Sequence, residues 1–335
     1  MDMTSLLAYN TFGIDAKCNE LIEYASVADL IAILPSLQGK RWLHIGGGSN
    51  LLFVNDFEGV VLHSQIKDIE VVQQDNVQVC LRVGAGVVWD EFVNYCVENH
   101  YYGLENLSYI PGEIGASAVQ NIGAYGAEVC QFIIHVETLE VETGKKRIFN
   151  NKECEYAYRS SVFKHELKGK YIVTHVVYKL SCKFEPNLAY GGIQRALQDR
   201  QISTSELTAR TLRDVIIDVR KAKLPEPHEI GSAGSFFMNP VVEESKFKDL
   251  FNKFPQIPHY QMDNGVKIPA GWLIEQCGWK GKHMGRAGVY SRQALVLINL
   301  GGAKGTDIVA LSNAIRHDVK QKFGIDIYPE VNFIE

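Results

Sequence analysis

The sequence lacks the marks of a secreted, membrane-embedded or nucleic-acid-binding protein. Its first 15 residues include an early acidic residue and no long apolar run, and no segment approaches the ~18 apolar residues of a membrane span. The seven cysteines are scattered and contain no CxxC pair, which disfavours a disulfide framework and a structural zinc site. The net charge of −5 gives no general attraction to nucleic acid or anionic membranes. We therefore expect a cytoplasmic protein that meets anionic ligands through local cationic and backbone N–H groups.

Several well-known catalytic patterns are also missing. No serine stands in a GxSxG nucleophile elbow, no HExxH pair is present, and the ten histidines are dispersed without ligand spacing. Nothing in the local sequence supports a cysteine nucleophile. We accordingly predict no metal site and no hydrolase of these types.

Short β-type runs alternate with helical patterns, which indicates α/β or α+β architecture. At ~150 residues per domain, 335 residues predict two or three domains. A first helix is predicted to begin near Ser26 and to stop at Pro35. Further helices are predicted at residues 88–100, 208–221 and 306–323, and strands at residues 41–45, 60–62, 69–73, 77–83, 133–140, 171–179 and 294–298. The Leu-Pro-Glu-Pro segment at 224–227 cannot continue a helix and is the best domain boundary.

Two glycine-rich segments follow predicted strands. Residues 46–50, Gly-Gly-Gly-Ser-Asn, can present backbone N–H groups to a phosphate, although a tight strand-to-loop turn would have the same composition. The GxGxxG fingerprint needs a glycine where Leu51 stands, and no P-loop ending follows. Residues 111–126 are mostly small, and their charge is limited to Glu113. A long glycine-rich loop would explain this second segment, but the two segments together favour a cofactor laid between two subdomains.

Three polar residues are candidates for chemistry. Arg159 interrupts an otherwise less polar run before a strand, Ser235 lies between a glycine and two phenylalanines, and Glu330 precedes a terminal β-like run. Taken singly, they also fit a surface arginine, a turn serine and an edge-strand charge. No one of them decides a function alone.

The order of several long motifs indicates a function more strongly than any single residue does. Together they resemble the UDP-N-acetylenolpyruvoylglucosamine reductases, the MurB-type flavoenzymes, from Asn10 nearly to the C-terminus. The motifs occupy residues 10–14, 46–50, 111–126, 158–164, 231–240, 269–274, 294–299 and 329–331. The resemblance implies an α+β fold: an FAD-binding module of the PCMH or vanillyl-alcohol-oxidase type in two subdomains, then a third α+β substrate-binding domain.

The implied boundaries are residues 1–66 and 67–221 for the two FAD-binding subdomains and 222–335 for the substrate-binding domain. They allow a C-terminal strand near residues 329–335 to return to the first subdomain. The implied reaction uses NADPH to reduce non-covalently bound FAD, which then reduces the enolpyruvyl ether of UDP-N-acetylglucosamine to UDP-N-acetylmuramate for peptidoglycan synthesis. The expected partners are these small molecules, with no nucleic acid, membrane or obligate protein partner.

The resemblance also implies residue roles. Ser235 matches the proton donor, while Arg159 and Glu330 match residues that activate the substrate and stabilise the enolate. The positions implied to bind FAD are Gly46, Gly47, Gly48, Ser49, Asn50, Gly112, Gly115, Ala116, Ser117, Asn121, Gly123 and Gly126. The positions implied to bind substrate are Tyr190, in a loop that marks the longer subclass, Lys223, Asn239 and Gln293. Met238 departs from the family pattern, in which a lysine commonly precedes the asparagine, so part of the diphosphate recognition is expected to be weaker or supplied elsewhere.

Two alternatives belong to other classes. A PCMH-type sugar oxidase would pass electrons to oxygen, and the segment at 231–240 with the C-terminal Pro-Glu-Val argues against it. A nucleotide-sugar-binding protein without redox chemistry is disfavoured by the two glycine-rich segments.

Overall fold

The computed structural model describes residues 3–335, and its contacts divide the chain into two compact units. The first unit contains residues 18–47 and 58–220, and the second contains residues 3–17, 48–57 and 221–335. Each unit is therefore assembled from separate stretches of chain. The division into three domains stays a prediction.

The first unit combines helices with a five-stranded sheet, a smaller sheet and a separate two-stranded pair. Its strands are β2 (Lys17–Tyr24), β3 (Trp42–Ile45), β5 (Phe57–Ser64), β6 (Ile69–Gln74), β7 (Gln78–Gly84), β8 (Gly123–Ala124), β9 (Ala127–Glu128), β10 (Ile133–Glu140), β11 (Lys146–Asn150) and β12 (Tyr171–Ser181). Its helices are α1 (Val27–Ile33), α2 (Trp89–Glu98), α3 (Ile114–Gln120), α4 (Gly191–Asp199) and α5 (Ala209–Lys223).

The larger sheet of this unit is antiparallel, in the order β11-β10-β12-β7-β6, and the smaller places β5 between β2 and β3. Trp89, Phe92 and Tyr178 pack edge-to-face or tilted against one another in the core beneath the larger sheet. The Trp89 indole N–H donates to the Leu107 carbonyl at 2.8 Å, so its polar atom is satisfied inside the core. This core includes Ile114 and Ala118 of the second glycine-rich segment.

The second unit is built from short strands and one long helix. Its strands are β1 (Thr4–Ser5), β4 (Leu51–Phe53), β13 (Gly231–Ser235), β14 (Val241–Val242), β15 (Tyr260–Met262), β16 (Gly265–Lys267), β17 (His283–Met284), β18 (Ala287–Val289), β19 (Val296–Asn299) and β20 (Asn332–Ile334). Its helices are α6 (Glu244–Lys253), α7 (Ala270–Gln276) and α8 (Gly305–Phe323).

One antiparallel sheet of the second unit has the order β13-β19-β18-β17, and α8 packs against β18 and β19. A second sheet has the order β14-β16-β15. Near the C-terminus, β20 pairs in parallel with β4, joining Asn332 to Leu51 and Ile334 to Phe53. The last strand is thus fixed beside the residues that follow the first glycine-rich segment.

The predicted helices and strands are confirmed with small shifts at their ends. Ser26 caps α1 by accepting from the N–H of Asp29 at 3.0 Å, and Gly324 ends α8 in the left-handed conformation. The second glycine-rich segment differs from a plain loop, because it contains the short helix α3. Burial of Ile114 and Ala118 stabilises this helix despite its glycine content. Within residues 3–335, no helix is long and apolar enough to cross a membrane.

Candidate functional site

The two glycine-rich segments lie side by side in the first unit. A β-carbon on Gly47 would lie 3.5 Å from the α-carbon of Gly112, and one on Gly46 would lie 3.2 Å from the β-carbon of Ala116. Gly46 and Gly47 follow β3 directly, and Gly112 precedes α3 by one residue. Gly46, Gly47, Gly112 and Ala116 therefore form a single feature, which we call the glycine cradle.

The glycine cradle has the chemistry to hold an FAD diphosphate. Within residues 3–335, the backbone N–H groups of Gly46 and Gly47 donate no hydrogen bond, so they remain available to an anionic ligand. Ala116 is exposed and Gly112 is half-buried, while Gly115 packs against Ala85 on the protein side. Small residues and available donors fit the cofactor that the sequence predicts.

Other residues predicted to bind FAD are used inside the protein. The Asn121 amide donates to the Glu128 carboxylate and the Ala157 carbonyl, and its oxygen accepts from the Cys130 N–H. The Ser117 hydroxyl is buried and donates to the carbonyl of Ile114, the first residue of α3, at 2.7 Å. These two side chains shape the segment rather than project from it, and their contact with FAD stays a prediction.

A buried ionic contact that was not predicted from the sequence adjoins the glycine cradle. Oε1 of Glu113 lies 2.9 Å from Nε2 of His63, and Nδ1 of His63 lies 3.0 Å from Oε1 of Glu23. Burial opposes charge on His63, but the hydrogen bonds to Glu113 and Glu23 outweigh it and raise the pKa of the imidazole. The signal in the sequence was Glu113, the lone charge in its segment.

Arg159 is held in a fixed orientation in the first unit. Its backbone has φ of +55° within a turn that is closed by two hydrogen bonds between Ala157 and Ser160. Nη2 of its guanidinium donates to the Gly123 carbonyl at 2.8 Å, and Nη1 donates to the Asn121 carbonyl at 3.4 Å. The structure thus joins the predicted catalytic arginine to the second glycine-rich segment.

Two tyrosines and a second arginine lie near this turn. Tyr125 and Tyr190 meet edge-to-face at 5.3 Å, and Nε of Arg220 donates to the Tyr109 carbonyl at 3.0 Å. Burial lowers the pKa of Arg220, and its hydrogen bond and attraction to Tyr125 act in the opposite direction, while the charge of Arg159 lowers it further. Arg220 was not predicted, although it stands four residues after Ile216 on the buried face of α5, where a cation is unusual.

Ser235 is the last residue of β13 in the second unit. Gly234 before it has φ of +66°, and the register of β13 with β19 shifts between Ser232 and Ser235. This bulge leaves Ser235 exposed, while Phe236 after it is fully buried. The role of Ser235 as a proton donor stays a prediction.

Glu330 lies beside the residue that follows Ser235. Its backbone N–H donates to the Phe236 carbonyl at 2.8 Å, and its own carbonyl accepts from Nδ2 of Asn50 at 3.3 Å. The structure therefore brings Ser235, Glu330 and Asn50 together within the second unit. Asn50 was predicted to bind FAD, and here it also anchors the backbone of Glu330.

The remaining predicted substrate contacts differ in their surroundings. The Asn239 oxygen accepts from the Ala270 N–H at 2.9 Å, which orients its NH₂ group away from α7. The Gln293 oxygen accepts from the Leu295 N–H, and Lys223 is exposed at the end of α5. Met238 is half-buried, and its N–H donates to the Tyr328 carbonyl.

Comparison with known proteins gives the family. Residues 226–334 match the family described as UDP-N-acetylenolpyruvoylglucosamine reductase, C-terminal domain, and residues 20–148 match an FAD binding domain. A reductase of that name from Bacteroides fragilis is 54% identical over 98% of both chains. The chain belongs to the UDP-N-acetylenolpyruvoylglucosamine reductase family. Its relative from Porphyromonas gingivalis is 49% identical over 97% of this chain and 96% of that protein.

Solved structures agree with the α+β fold. The UDP-N-acetylenolpyruvylglucosamine reductase from Thermus caldophilus superposes with a TM-score of 0.70 at 21% identity, over 100% of this chain and 98% of that one. A solvent-stable cholesterol oxidase superposes with a TM-score of 0.51 at 9% identity, over 98% of this chain and 86% of that one. As a member of the reductase family with an FAD binding domain, the chain is an FAD-dependent oxidoreductase.

Proposed function

We propose that this protein uses NADPH and FAD to reduce the enolpyruvyl ether of UDP-N-acetylglucosamine to UDP-N-acetylmuramate. Family membership over almost the full chain supports the substrate class. The observation that carries the chemistry is the exposed hydroxyl of Ser235, placed by a strand bulge next to the backbone of Glu330. The product would serve peptidoglycan precursor synthesis in the cytoplasm, where nucleotide sugars and NADPH are available.

The glycine cradle is the proposed holder of the FAD diphosphate, because its two N–H groups are available and its side chains are small. When bound, FAD would supply the two-electron chemistry that connects NADPH to the double bond. Binding through backbone groups adds no positive charge to this acidic chain. Cationic side chains would therefore supply much of the field that an anionic ligand needs.

Arg159 is the proposed carboxylate-binding residue. The substrate carboxylate is conjugated to the double bond, so reduction at the far carbon sends negative charge towards it. A guanidinium already fixed on two backbone carbonyls can meet this charge without further ordering. Its hydrogen bonds to the Gly123 and Asn121 carbonyls support this role.

Ser235 is the proposed proton donor to the carbon that bears the carboxylate. A serine hydroxyl is a weak acid, but an enolate carbon is a strong base, so position matters more than acidity. Glu330 would orient a donor, or donate while protonated. Asn239 and Lys223 would contact the substrate diphosphate, and Tyr190 and Gln293 are the other proposed substrate contacts.

The test is a steady-state assay with the purified protein containing FAD. We expect NADPH oxidation that depends on the enolpyruvyl substrate and yields one UDP-N-acetylmuramate per NADPH consumed. Peroxide formed from a sugar without NADPH would instead establish an oxidase. A protein that binds the UDP-sugar but neither becomes yellow nor takes up added FAD would contradict any redox role.

A further inference from the structure

Glu113 is an unusual residue at the edge of a site for an anionic ligand. It is only 8% exposed, and its side chain does not cap α3, although it occupies the N-cap position. Its Oε2 lies 3.2 Å from where a β-carbon on Gly46 would stand. An uncompensated carboxylate here would repel a diphosphate in the glycine cradle.

His63 supplies the compensation. In the parallel pairing of β5 with β3 it lies opposite Ile45, the residue before Gly46. Its two ring nitrogens face the carboxylates of Glu113 and Glu23, at 2.9 Å and 3.0 Å. Only the protonated imidazole can donate to both carboxylates at once.

Gln65, Tyr24 and His44 are the other polar groups described near His63. Nε2 of Gln65 donates to the Glu23 carboxylate at 2.6 Å and lies 3.1 Å from Nδ1 of His63. The Tyr24 hydroxyl lies 2.7 Å from Nε2 of His44. Burial, followed by the charge of His63, lowers the pKa of His44 to about 4, so His44 is neutral near pH 7.

We propose that His63, held protonated between Glu113 and Glu23, is a positioning residue that fixes Glu113 at the glycine cradle and makes FAD affinity depend on pH. The proposal rests on the proposed role of the glycine cradle in binding FAD. With His63 charged, the three groups carry one net negative charge; once its proton is lost, they carry two. Because the hydrogen bonds and attraction to the two glutamates raise the pKa of His63, its charge persists above the pH at which an ordinary histidine loses it, and it is lost as pH rises through the raised pKa.

The experiment titrates apoprotein with FAD, following flavin fluorescence, from about pH 5.5 to about pH 9, a range that spans histidine titration. For the wild type, we expect the Kd to rise by about tenfold across this range, the effect of about one pKa unit of coupling. His63→Gln retains a hydrogen-bonding side chain without the charge, so it should bind weakly at every pH with a flat profile. Glu113→Gln should move the transition to lower pH.

The matched control is Glu58→Gln, which removes one carboxylate from an exposed position on the same strand. It should keep the wild-type profile. If His63→Gln retains the wild-type pH dependence, the inference is wrong. If His63→Gln does not fold, the Glu113→Gln transition decides, and an unmoved transition overturns the inference. If the contact between His63 and Glu113 were only structural, His63→Gln and Glu113→Gln would both lower the unfolding temperature. The pH dependence of their FAD affinity would then stay parallel to that of the wild type.

Gly47→Ala separates this inference from the proposed cofactor site. Its new methyl group would make only an ordinary 3.5 Å contact with Gly112, so the variant should fold. We expect it to weaken FAD binding by about tenfold. Unchanged FAD affinity would show that the glycine cradle is misassigned. Weaker binding by Gly47→Ala, together with wild-type pH dependence in His63→Gln, would overturn only the role of His63.

Discussion

Arg159 and Ser235 belong to different units and are placed by different means. The Arg159 guanidinium is held at its far end by two backbone carbonyls, above a turn that is itself closed by hydrogen bonds. Ser235 is exposed and is placed by the strand that carries it, between a glycine with positive φ and a fully buried phenylalanine. The first residue is positioned through its side chain and the second through its backbone.

The difference follows from the length of each side chain. An arginine has four rotatable bonds, and ordering them costs up to ~2 kcal/mol, so contacts made in advance spare the cost at the time of binding. Serine has a single rotatable bond to its hydroxyl. Placing its backbone limits the oxygen to three staggered positions, so far less side-chain freedom has to be removed than in arginine.

The strongest test of this comparison is Ser235→Ala, which leaves the backbone intact. We expect turnover to fall by roughly 10²–10⁴, the usual contribution of a positioned proton donor. Reduction of the bound flavin by NADPH should remain near normal, and stopped-flow absorbance measures this step separately. Ser245→Ala, at an exposed position on α6, is the control. Collapse of flavin reduction itself would remove Ser235 from the second half-reaction.

Arg159→Lys tests whether Arg159 is positioned through the contacts of its side chain. Lysine keeps the charge but cannot span the carbonyls of Asn121 and Gly123 while presenting a second pair of donors. We expect a fall of roughly 10²–10³ in turnover, as for loss of a preorganised donor. Arg200→Lys, in an exposed pair with Asp218, should have little effect. Full turnover in Arg159→Lys would show that a point charge suffices.

Arg213→Met tests whether the first unit depends on buried polar contacts for its stability. The Arg213 guanidinium contacts both oxygens of Asp90, at 2.6 Å and 2.9 Å, and is almost fully buried. Removing it should lower the free energy of unfolding by about 3–5 kcal/mol, measured by urea denaturation. Arg210→Met on the same helix breaks an exposed pair with Glu98 and should change the free energy of unfolding by less than ~1 kcal/mol. Equal losses of unfolding free energy in Arg213→Met and Arg210→Met would show that burial of the ion pair does not determine its contribution.

Gly234→Ala tests whether Ser235 is positioned through its backbone, and it has the smallest expected effect. Its β-carbon meets no atom within 4 Å, so the cost should be the ~1–2 kcal/mol of left-handed backbone alone. Gly48→Ala should be far more damaging, because its β-carbon would lie 2.0 Å from the Tyr9 carbonyl oxygen. Thermal unfolding compares the two variants. Reduced turnover in folded Gly234→Ala would indicate that the bulge positions Ser235, whereas wild-type turnover would show that it does not.

Much of the fold was predictable because its signals are local. The cap at Ser26, the apolar spacing of α8 and the glycine after it each depend on residues within a few positions of one another. Helix α3 was not predicted, because glycine and alanine give little periodicity. It depends on burial against distant residues such as Ala85.

The candidate site likewise contains features that could be predicted from the sequence and features that could not. The order of the motifs was enough to indicate the family, the FAD requirement and Ser235, Arg159 and Glu330 as residues of interest. Glu113 is visible in the sequence as the lone charge of its segment, but nothing there indicates that it contacts His63, which is 50 positions away. Arg220 was visible only as a charge on an apolar helix face.

The sequence by itself determined the chemistry that is available: the glycines, the hydroxyl, the guanidinium and the carboxylates, in an order shared with one family. The tertiary structure decided which of these groups meet. It set Gly47 beside Gly112, fixed Arg159 on the second glycine-rich segment and bound the backbone of Glu330 to Phe236. The physical reason is that such contacts depend on sheet register and on packing between distant segments, whereas composition and spacing report only on near neighbours.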